Sequence, residues 1–369
     1  GCAQLMGLLS VLFGGLFIIQ GKMTAGDLAA FSLMSWGLSE PMRALGTYLN
    51  DFQRFLTSAA KVIEIYFART RIENPEHGRT EGECRGSVEF RGVTVAYPHN
   101  SAPTLKDVSF SVTQGQTLAI LGATGSGKTT LVDAVTRMLD VSGGTVLVDG
   151  VDVRDYDLKA LRDKIGYVPQ QSVLFKGTVA SNVSYGDQPG DPAEVEMADT
   201  STPAGRKREA ALIAAGEAAE GADIPAEQLN RVRAAADVAQ ASEFVARMDG
   251  GYSAAIAQGG SNVSGGQKQR LSIARAVYRH PEILIFDDSF SALDFKTDRE
   301  VRDALAREAK DSTKLIVAQR IGTIMNADRI VVLDDGKVVG QGTHKELLDN
   351  CDVYRQIAES QLSQSELTA

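Results

Sequence analysis

The 369-residue sequence predicts an α/β fold: a parallel-core sheet with an antiparallel side sheet and a helical subdomain, preceded by two long helices. Two observations predict the α/β part. Residues 122–129 fit the pattern G-x-x-x-x-G-K-[ST] and lie between an apolar strand, residues 117–121, and a helical pattern, residues 130–135. Two later apolar strands, residues 283–286 and 314–318, each follow a helical pattern, which is the α/β arrangement.

The first part of the chain predicts membrane helices. Residues 4–19 are apolar, and no charged residue precedes Lys22, which is typical of a membrane-spanning helix. Residues 28–49 are a second candidate span, and the pattern leaves open whether they cross. Two helices cannot make a translocation path, so we expect the chain to be a fragment that lacks earlier membrane helices. Three residues interrupt the second candidate: Glu40, Pro41 and Arg43.

Basic residues after the second candidate span, such as Arg54 and Lys61, predict a cytoplasmic location for the rest of the chain. Apolar residues at helical spacing over residues 51–67 extend the second helix as an amphipathic rod. A polar stretch with glycines and a proline then predicts a linker. The predicted divisions are residues 1–68 for the end of a membrane domain, 69–86 for the linker, 87–362 for the α/β domain and 363–369 for a tail.

Inside the α/β domain, two segments alternate as antiparallel strands, residues 87–97 and 105–112, and predict the side sheet. Residues 187–226 are rich in small and polar residues and predict a flexible insertion with a short helix over residues 209–219. Helical character returns over residues 226–248.

The glycine-rich segment has the residues that a phosphate site needs. Glycines let backbone N–H groups turn towards phosphate oxygens, a helix N-terminus adds its positive end, and a lysine reaches the terminal phosphates. Thr129 is the expected magnesium ligand. The predicted nucleotide-binding residues here are Gly122, Thr124, Gly125, Ser126, Gly127, Lys128, Thr129 and Thr130.

The charge and the cysteine spacing of the chain argue against two kinds of ligand, nucleic acid and a cysteine-bound metal. The formal net charge of −9 argues against a broad nucleic-acid surface. The three cysteines are far apart and match no metal-binding spacing, so we expect reduced thiols.

A second motif, Ser264-Gly265-Gly266-Gln267, resembles the signature motif of ATP-binding-cassette (ABC) transporters, with Val263 where leucine is commoner. With the phosphate loop before it and an apolar strand ending in acids after it, the chain resembles the P-loop ABC cassette over residues 87–361. The resemblance implies ATP and Mg²⁺ as ligands. It also implies that the signature faces the γ-phosphate bound by a second cassette, so one chain cannot complete an active site.

The same resemblance implies roles for further positions. Tyr97 matches the aromatic residue that stacks on adenine, and Gln170 matches the glutamine that contacts magnesium. Asp287 matches the magnesium-coordinating aspartate that ends the Walker B strand. Ser291 and Asp294 match the D-loop, which crosses the interface between cassettes.

The N-terminal part resembles one subtype. Residues 21–31, 41–43 and 58–63 resemble the last two membrane helices of exporters that fuse the membrane and ATPase domains, and residues 172–183 fit the same subtype. This implies a multi-pass protein of a bacterial cell membrane with a cytoplasmic cassette and a second half-transporter as partner. The transported substrate stays open.

Two positions depart from the family pattern. Asp288 stands where the family has the glutamate that polarises the attacking water, and Gln319 stands where it has a histidine. Shortening the side chain by one methylene withdraws the carboxylate by about 1.5 Å, and a misplacement of roughly 1 Å can cost on the order of a hundredfold in rate. With Lys128, these residues form the predicted catalytic set of a degenerate site.

We interpret the intact signature beside the altered catalytic positions as one half of a heterodimer. A slowly hydrolysing homodimer is the alternative. Two other functions stay open: a soluble cassette ATPase acting on DNA or ribosomes, which the apolar N-terminus and acidic charge disfavour, and a purely regulatory ATP-binding subunit.

Overall fold

The computed structural model describes residues 2–68, 72–98, 102–186 and 225–362, without the side chains of residues 2–6, 36, 38–40, 42 and 43. The chain divides into two compact units, Gly1–Arg71 and Ile72–Ala369. The predicted helix over residues 209–219 lies outside the described residues.

The first unit is a pair of helices, α1 (Cys2–Ile19) and α2 (Ala25–Tyr66). Thr24 caps α2: its hydroxyl accepts from the Asp27 N–H, and the Asp27 carboxylate accepts from the Thr24 N–H. Pro41 lies within α2 without ending it. The predicted spans over residues 4–19 and 28–49 fall on these helices, and among the described residues no helix is both long and apolar enough to cross a membrane.

The strands of the second unit form two main sheets and a short ribbon. The described strands are β1 (Val88–Val95), β2 (Leu105–Val112), β3 (Thr117–Gly122), β4 (Gly143–Val148), β5 (Val151–Asp152), β6 (Ile165–Val168), β7 (Gly177–Thr178), β8 (Ala255–Ile256), β9 (Ile283–Asp287), β10 (Thr313–Ala318), β11 (Arg329–Asp334) and β12 (Lys337–Gly342). One sheet has the order β12-β11-β3-β10-β9-β6 and is parallel except for β12. The other has the order β2-β1-β4-β5 and is antiparallel, and β7 pairs with β8.

Alternate residues of β3 face two different cores. Leu118 and Ile120 belong to the core shared with the antiparallel sheet, whereas Ala119 and Leu121 belong to the core shared with the helices. Both faces of the parallel sheet are therefore buried, which explains why its central strands are continuously apolar. The described helices are α3 (Lys128–Val135), α4 (Leu158–Asp163), α5 (Val179–Val183), α6 (Ala226–Val238), α7 (Ser242–Ala246), α8 (Gly265–Tyr278), α9 (Phe295–Glu308), α10 (Ile321–Ile324), α11 (His344–Asn350) and α12 (Asp352–Gln361).

The structure refines two predicted segments. The helical character expected over residues 226–248 is divided between two helices, α6 and α7, and Gln240 between them adopts the left-handed conformation with a φ of 53°. The helix after the glycine-rich segment begins at Lys128 rather than at Thr130. Strands β4 to β8, β11 and β12 were not predicted.

Residues 72–86, which the sequence assigns to a linker, lie along the α/β domain. Asn74 donates to the Asp157 carboxylate at 2.8 Å and accepts from the Leu158 N–H at 2.9 Å, next to the start of α4. Glu83 N–H donates to the carbonyl of Asp149 at 2.7 Å. This part of the predicted linker is therefore held by hydrogen bonds to the domain that follows it.

Candidate active site

The candidate site lies where three neighbouring parallel strands end. Strand β10 lies between β3 and β9, so their carboxyl ends share one edge of the sheet. Ligands of open α/β sheets bind at this edge. The glycine-rich segment follows β3, Asp287 ends β9, and Gln319 follows β10.

The glycine-rich segment folds into a tight loop around the Lys128 ammonium group. Gly125 and Gly127 have φ values of 85° and 100°, which non-glycine residues rarely adopt. Lys128 Nζ donates to the carbonyls of Gly122 and Ala123, both at 2.8 Å. Burial lowers the pKa of Lys128, and the nearby carboxylates of Asp287 and Asp288 act against that shift.

Two features of the loop fit a bound phosphate. The Ser126 hydroxyl is buried and has no hydrogen-bond partner among the described residues, so it is free for a ligand oxygen. A Cβ at Gly127 would lie 2.7 Å from Leu105 Cδ2, so the close approach of the loop backbone to Leu105 requires glycine at this position. Gly127 caps α3 without a side-chain hydrogen bond, which leaves the first N–H groups of the helix for a ligand.

Oxygen donors suited to a magnesium ion adjoin the loop. Thr129 Oγ1 donates to Asp287 Oδ2 at 3.1 Å, and Tyr167 OH donates to the same oxygen at 3.4 Å. Hydroxyl and carboxylate oxygens are ligands that Mg²⁺ prefers. Burial raises the pKa of Asp287, and the hydrogen bonds from Thr129 and Tyr167 oppose the shift.

Asp288 is enclosed by two amide groups. Its Oδ2 accepts from Gln319 Nε2 at 3.0 Å and from Gln170 Nε2 at 3.3 Å. The residue is 9% exposed and has a φ of 48°. Burial raises its pKa, and the charge of Asp287 adds to the shift.

Most of the predicted loop, magnesium and catalytic residues therefore surround one cavity of about 250 Å³, whereas the predicted loop residues Gly122 and Ser126 do not line it. Its lining is Thr104, Thr124, Gly125, Gly127, Lys128, Thr129, Thr130, Gln170, Asp287, Asp288, Val317 and Gln319. Thr104 and Tyr167 were missed by the sequence reasoning. Tyr167 lies three residues before Gln170, which the sequence analysis identified, whereas no sequence pattern marks Thr104.

Tyr97 lies beside this site. Its hydroxyl is 3.2 Å from Thr130 Oγ1, and the residue is 38% exposed. A tyrosine ring can stack on a base.

The signature residues do not line the cavity. Ser264 caps α8: its hydroxyl accepts from the Gln267 N–H at 3.3 Å, and the Gln267 side chain accepts from the Ser264 N–H at 2.9 Å. Gly265 and Gly266 begin the helix, and Val263 packs against the core.

The predicted D-loop residues lie between Asp288 and helix α9. Ser291 Oγ donates to the Asp288 carbonyl at 2.7 Å, and Asp294 caps α9 by accepting from the Thr297 N–H. Asp294 is exposed, and hydrogen bonds from Thr297 lower its pKa.

The sequence profile of ABC transporters matches residues 105–291, just over half of the chain. The chain belongs to the ABC transporter family. Both the phosphate loop and the signature of this ABC transporter chain fall inside the matched region.

Similar proteins extend the likeness beyond the cassette. An uncharacterized ABC transporter ATP-binding protein of Mycobacterium tuberculosis is 40% identical over 355 residues, which cover 95% of this chain and 54% of that protein. An ATP-dependent lipid A-core flippase of Photobacterium profundum is 33% identical, covering 92% of this chain and 52% of the flippase. The chain therefore spans about half the length of the curated relatives it matches.

A solved structure of a bacterial Atm1-family ABC exporter with ATP bound aligns with a TM-score of 0.69 and 29% identity. The alignment covers 98% of this chain and 57% of the exporter chain. The ABC cassette fold expected from the sequence, with its mixed sheet and helical subdomain, is confirmed.

Proposed function

We propose that the chain is the ATP-binding and ATP-hydrolysing subunit of a membrane ABC exporter, and that its own nucleotide site is catalytically weak. Family membership supports ATP binding, and the flippase and Atm1-family relatives support an exporter. A soluble cassette acting on DNA or ribosomes has no such support.

The proposed roles at the nucleotide site follow from the geometry around the loop. The loop N–H groups, the free Ser126 hydroxyl and Lys128 would hold the ATP phosphates, and the exposed ring of Tyr97 would stack on adenine. Thr129, Asp287 and Gln170 would hold Mg²⁺, which neutralises the charge that develops on the phosphates. Thr129 and Asp287 already share a hydrogen bond.

The enclosed carboxylate of Asp288 is the observation on which the weak-site proposal depends. A general base must accept a hydrogen bond from the attacking water. Two amides, from Gln170 and Gln319, already donate to Oδ2 of Asp288, and the aspartate side chain is one methylene shorter than the family's glutamate. Gln319 can donate a hydrogen bond to a γ-phosphate but cannot supply a positive charge.

The signature supports a partner cassette. Ser264 is exposed at the start of α8 and does not line the cavity of its own chain, so it is available to a nucleotide bound by another cassette. We favour a heterodimer in which this signature completes a competent site on a different half-transporter. A homodimer with two slow sites is the alternative, and a purely regulatory subunit would show no turnover in either arrangement.

Coupling to transport would run through helix α2. This helix continues from Ala25 to Tyr66, and many of its apolar side chains are exposed, as expected of a helix that meets lipid or other membrane helices. Closure of two cassettes around ATP would move such a rod.

Steady-state ATP hydrolysis by this chain, purified with its partner half-transporter, tests the proposal. Asp288→Glu should leave turnover unchanged or raise it, whereas changing the partner's catalytic glutamate to glutamine should abolish it. The weak-site proposal fails if the chain alone forms a homodimer whose turnover is lost in Asp288→Asn.

A further inference from the structure

A buried amide on helix α8 contacts the loop that follows strand β6. Gln269 is 2% exposed. Its Oε1 accepts from Ser172 Oγ at 2.5 Å, and its Nε2 faces the Pro169 carbonyl at 3.5 Å. Between these two contacts lies Gln170, whose amide donates to Asp288. Gln269 therefore holds the loop on both sides of the residue that reaches the catalytic carboxylate.

The same helix holds the loop a second time, one and a half turns further on. Arg275 Nη1 donates to the Val173 carbonyl at 3.0 Å, and Nε donates to the Asn182 carbonyl at 2.8 Å. The stacked rings of Phe175 and Tyr185 lie 5.3 Å and 5.5 Å from the guanidinium. The segment of residues 169–185, which includes β7 and α5, is thus bound to α8 at two points.

Separation of these elements would leave polar groups without partners. A buried amide that loses its hydrogen bond without gaining another partner is strongly disfavoured. At its other end, α8 begins at the Ser264 cap. A helix of 14 residues is stiff, so a shift of the loop must move the signature as well.

We propose that Gln269 is a positioning residue that joins the two nucleotide-facing motifs of this chain. It links the loop bearing Gln170, at the chain's own site, to the signature at Ser264, which would serve the partner's site. The inference rests on the proposed function for the second of these roles. Nucleotide binding at the chain's own site shifts Gln170, and the Gln269 contact passes that shift to the signature.

Hydrogen exchange measured by mass spectrometry tests the role of Gln269 directly. The first arm is measured without nucleotide. Gln269→Met keeps the length of the side chain and removes both polar contacts. We expect exchange in residues 169–183 to become about fivefold faster or more, the size of a typical coupling between sites. Ser172→Ala removes the same 2.5 Å contact from the loop side and should do likewise, so it decides the outcome if Gln269→Met does not fold.

Arg270→Gln is the matched control. Arg270 lies next to Gln269 on the same helix, but it donates to the Gln240 carbonyl and covers the Phe244 ring, and neither of these residues belongs to the loop. We expect this variant to leave exchange in residues 169–183 unchanged. Equal acceleration in the control and in Gln269→Met would indicate a general loosening of α8 and would overturn the proposal.

The second arm adds a non-hydrolysable ATP analogue with Mg²⁺. In the wild-type chain, exchange should slow in residues 122–130 and also in residues 261–272. In Gln269→Met and Ser172→Ala, the slowing should persist in residues 122–130 and be lost in residues 261–272. If the signature still responds in both variants, Gln269 does not join the motifs.

Neither arm depends on hydrolysis. A failure of the weak-site proposal would appear in the turnover of the Asp288 variants and would leave the exchange pattern intact. A failure of the Gln269 proposal would appear in the exchange pattern alone.

Discussion

The side-chain amide of Gln319 donates to Oδ2 of Asp288 over 3.0 Å. The two residues follow the ends of neighbouring strands, β10 and β9, and are the two predicted catalytic positions at which the chain departs from its family's pattern. Because Asp288 and Gln319 contact each other, each change affects the environment of the other.

Their contact predicts that restoring both positions raises turnover more than restoring either one alone. The double variant Asp288→Glu with Gln319→His should hydrolyse ATP faster than the wild-type chain, by about tenfold to a hundredfold, because the carboxylate regains its reach. Gln319→His alone is the control and should change turnover little. Unchanged turnover in the double variant, with unchanged ATP affinity, would show that these positions do not limit the site.

Ser126→Ala should separate ligand binding from stability. The Ser126 hydroxyl is buried without a partner among the described residues, so its removal should leave the thermal unfolding temperature unchanged or raise it. Affinity for a fluorescent ATP analogue should fall by about five- to tenfold, the value of one hydrogen bond. Ser109→Ala, which removes an acceptor for the Gly92 N–H outside the site, should not affect affinity. An undiminished affinity in Ser126→Ala would contradict the phosphate role.

Lys164→Met should destabilise the α/β domain. Lys164 Nζ lies 3.1 Å from Asp149 Oδ2 and 2.9 Å from Glu282 Oε2, and the Asp149 side chain is fully buried. Breaking a buried pair by removing one partner costs about 3–5 kcal/mol. Urea unfolding followed by circular dichroism should report this loss.

The double variant Lys164→Met with Asp149→Asn is its control. It removes the unpaired charge while the asparagine oxygen can still accept from the Ser87 N–H, so it should recover part of the loss. A single variant within about 1 kcal/mol of the wild type would show that the ion pair adds little to stability.

His344 should make stability depend on pH. Burial lowers the pKa of His344 from its ordinary value of 6.5, the charge of Lys345 adds to this, and its Nδ1 lies 2.6 Å from the Tyr354 hydroxyl. The unfolded chain then binds the proton more tightly than the folded chain, so protonation favours unfolding. The contribution of neutral His344 to the free energy of unfolding is therefore fully present above pH 6.5, and it is lost as the pH falls towards the lower pKa of His344 in the folded chain.

Urea midpoints at a series of pH values below 7.5 test the effect of His344. His344→Phe should flatten the acid side of the profile, whereas His77→Gln, at an exposed histidine, should leave it unchanged. Parallel profiles for His344→Phe and the wild type would exclude the effect.

Local patterns determined much of the fold. Strands β3, β9 and β10 were predicted because a sheet buried on both faces requires continuous apolar runs. The glycine-rich loop was predictable because its backbone needs positive φ values, which Gly125 and Gly127 adopt and which other residues rarely adopt. The break at Gln240 was not predictable, since nothing in its neighbourhood marks a left-handed residue and its carbonyl is bound by the distant Arg270.

By itself, the sequence determined the family, the position of the glycine-rich loop and the two altered positions, because each is recognised from a short run of contiguous residues. Only the tertiary structure decided that Gln170 and Gln319 meet on one oxygen of Asp288, and that Gln269 reaches across to Ser172. These contacts join residues 31 to 118 positions apart. Their geometry follows from how parallel strands align and how α8 packs beside them, which no local pattern encodes.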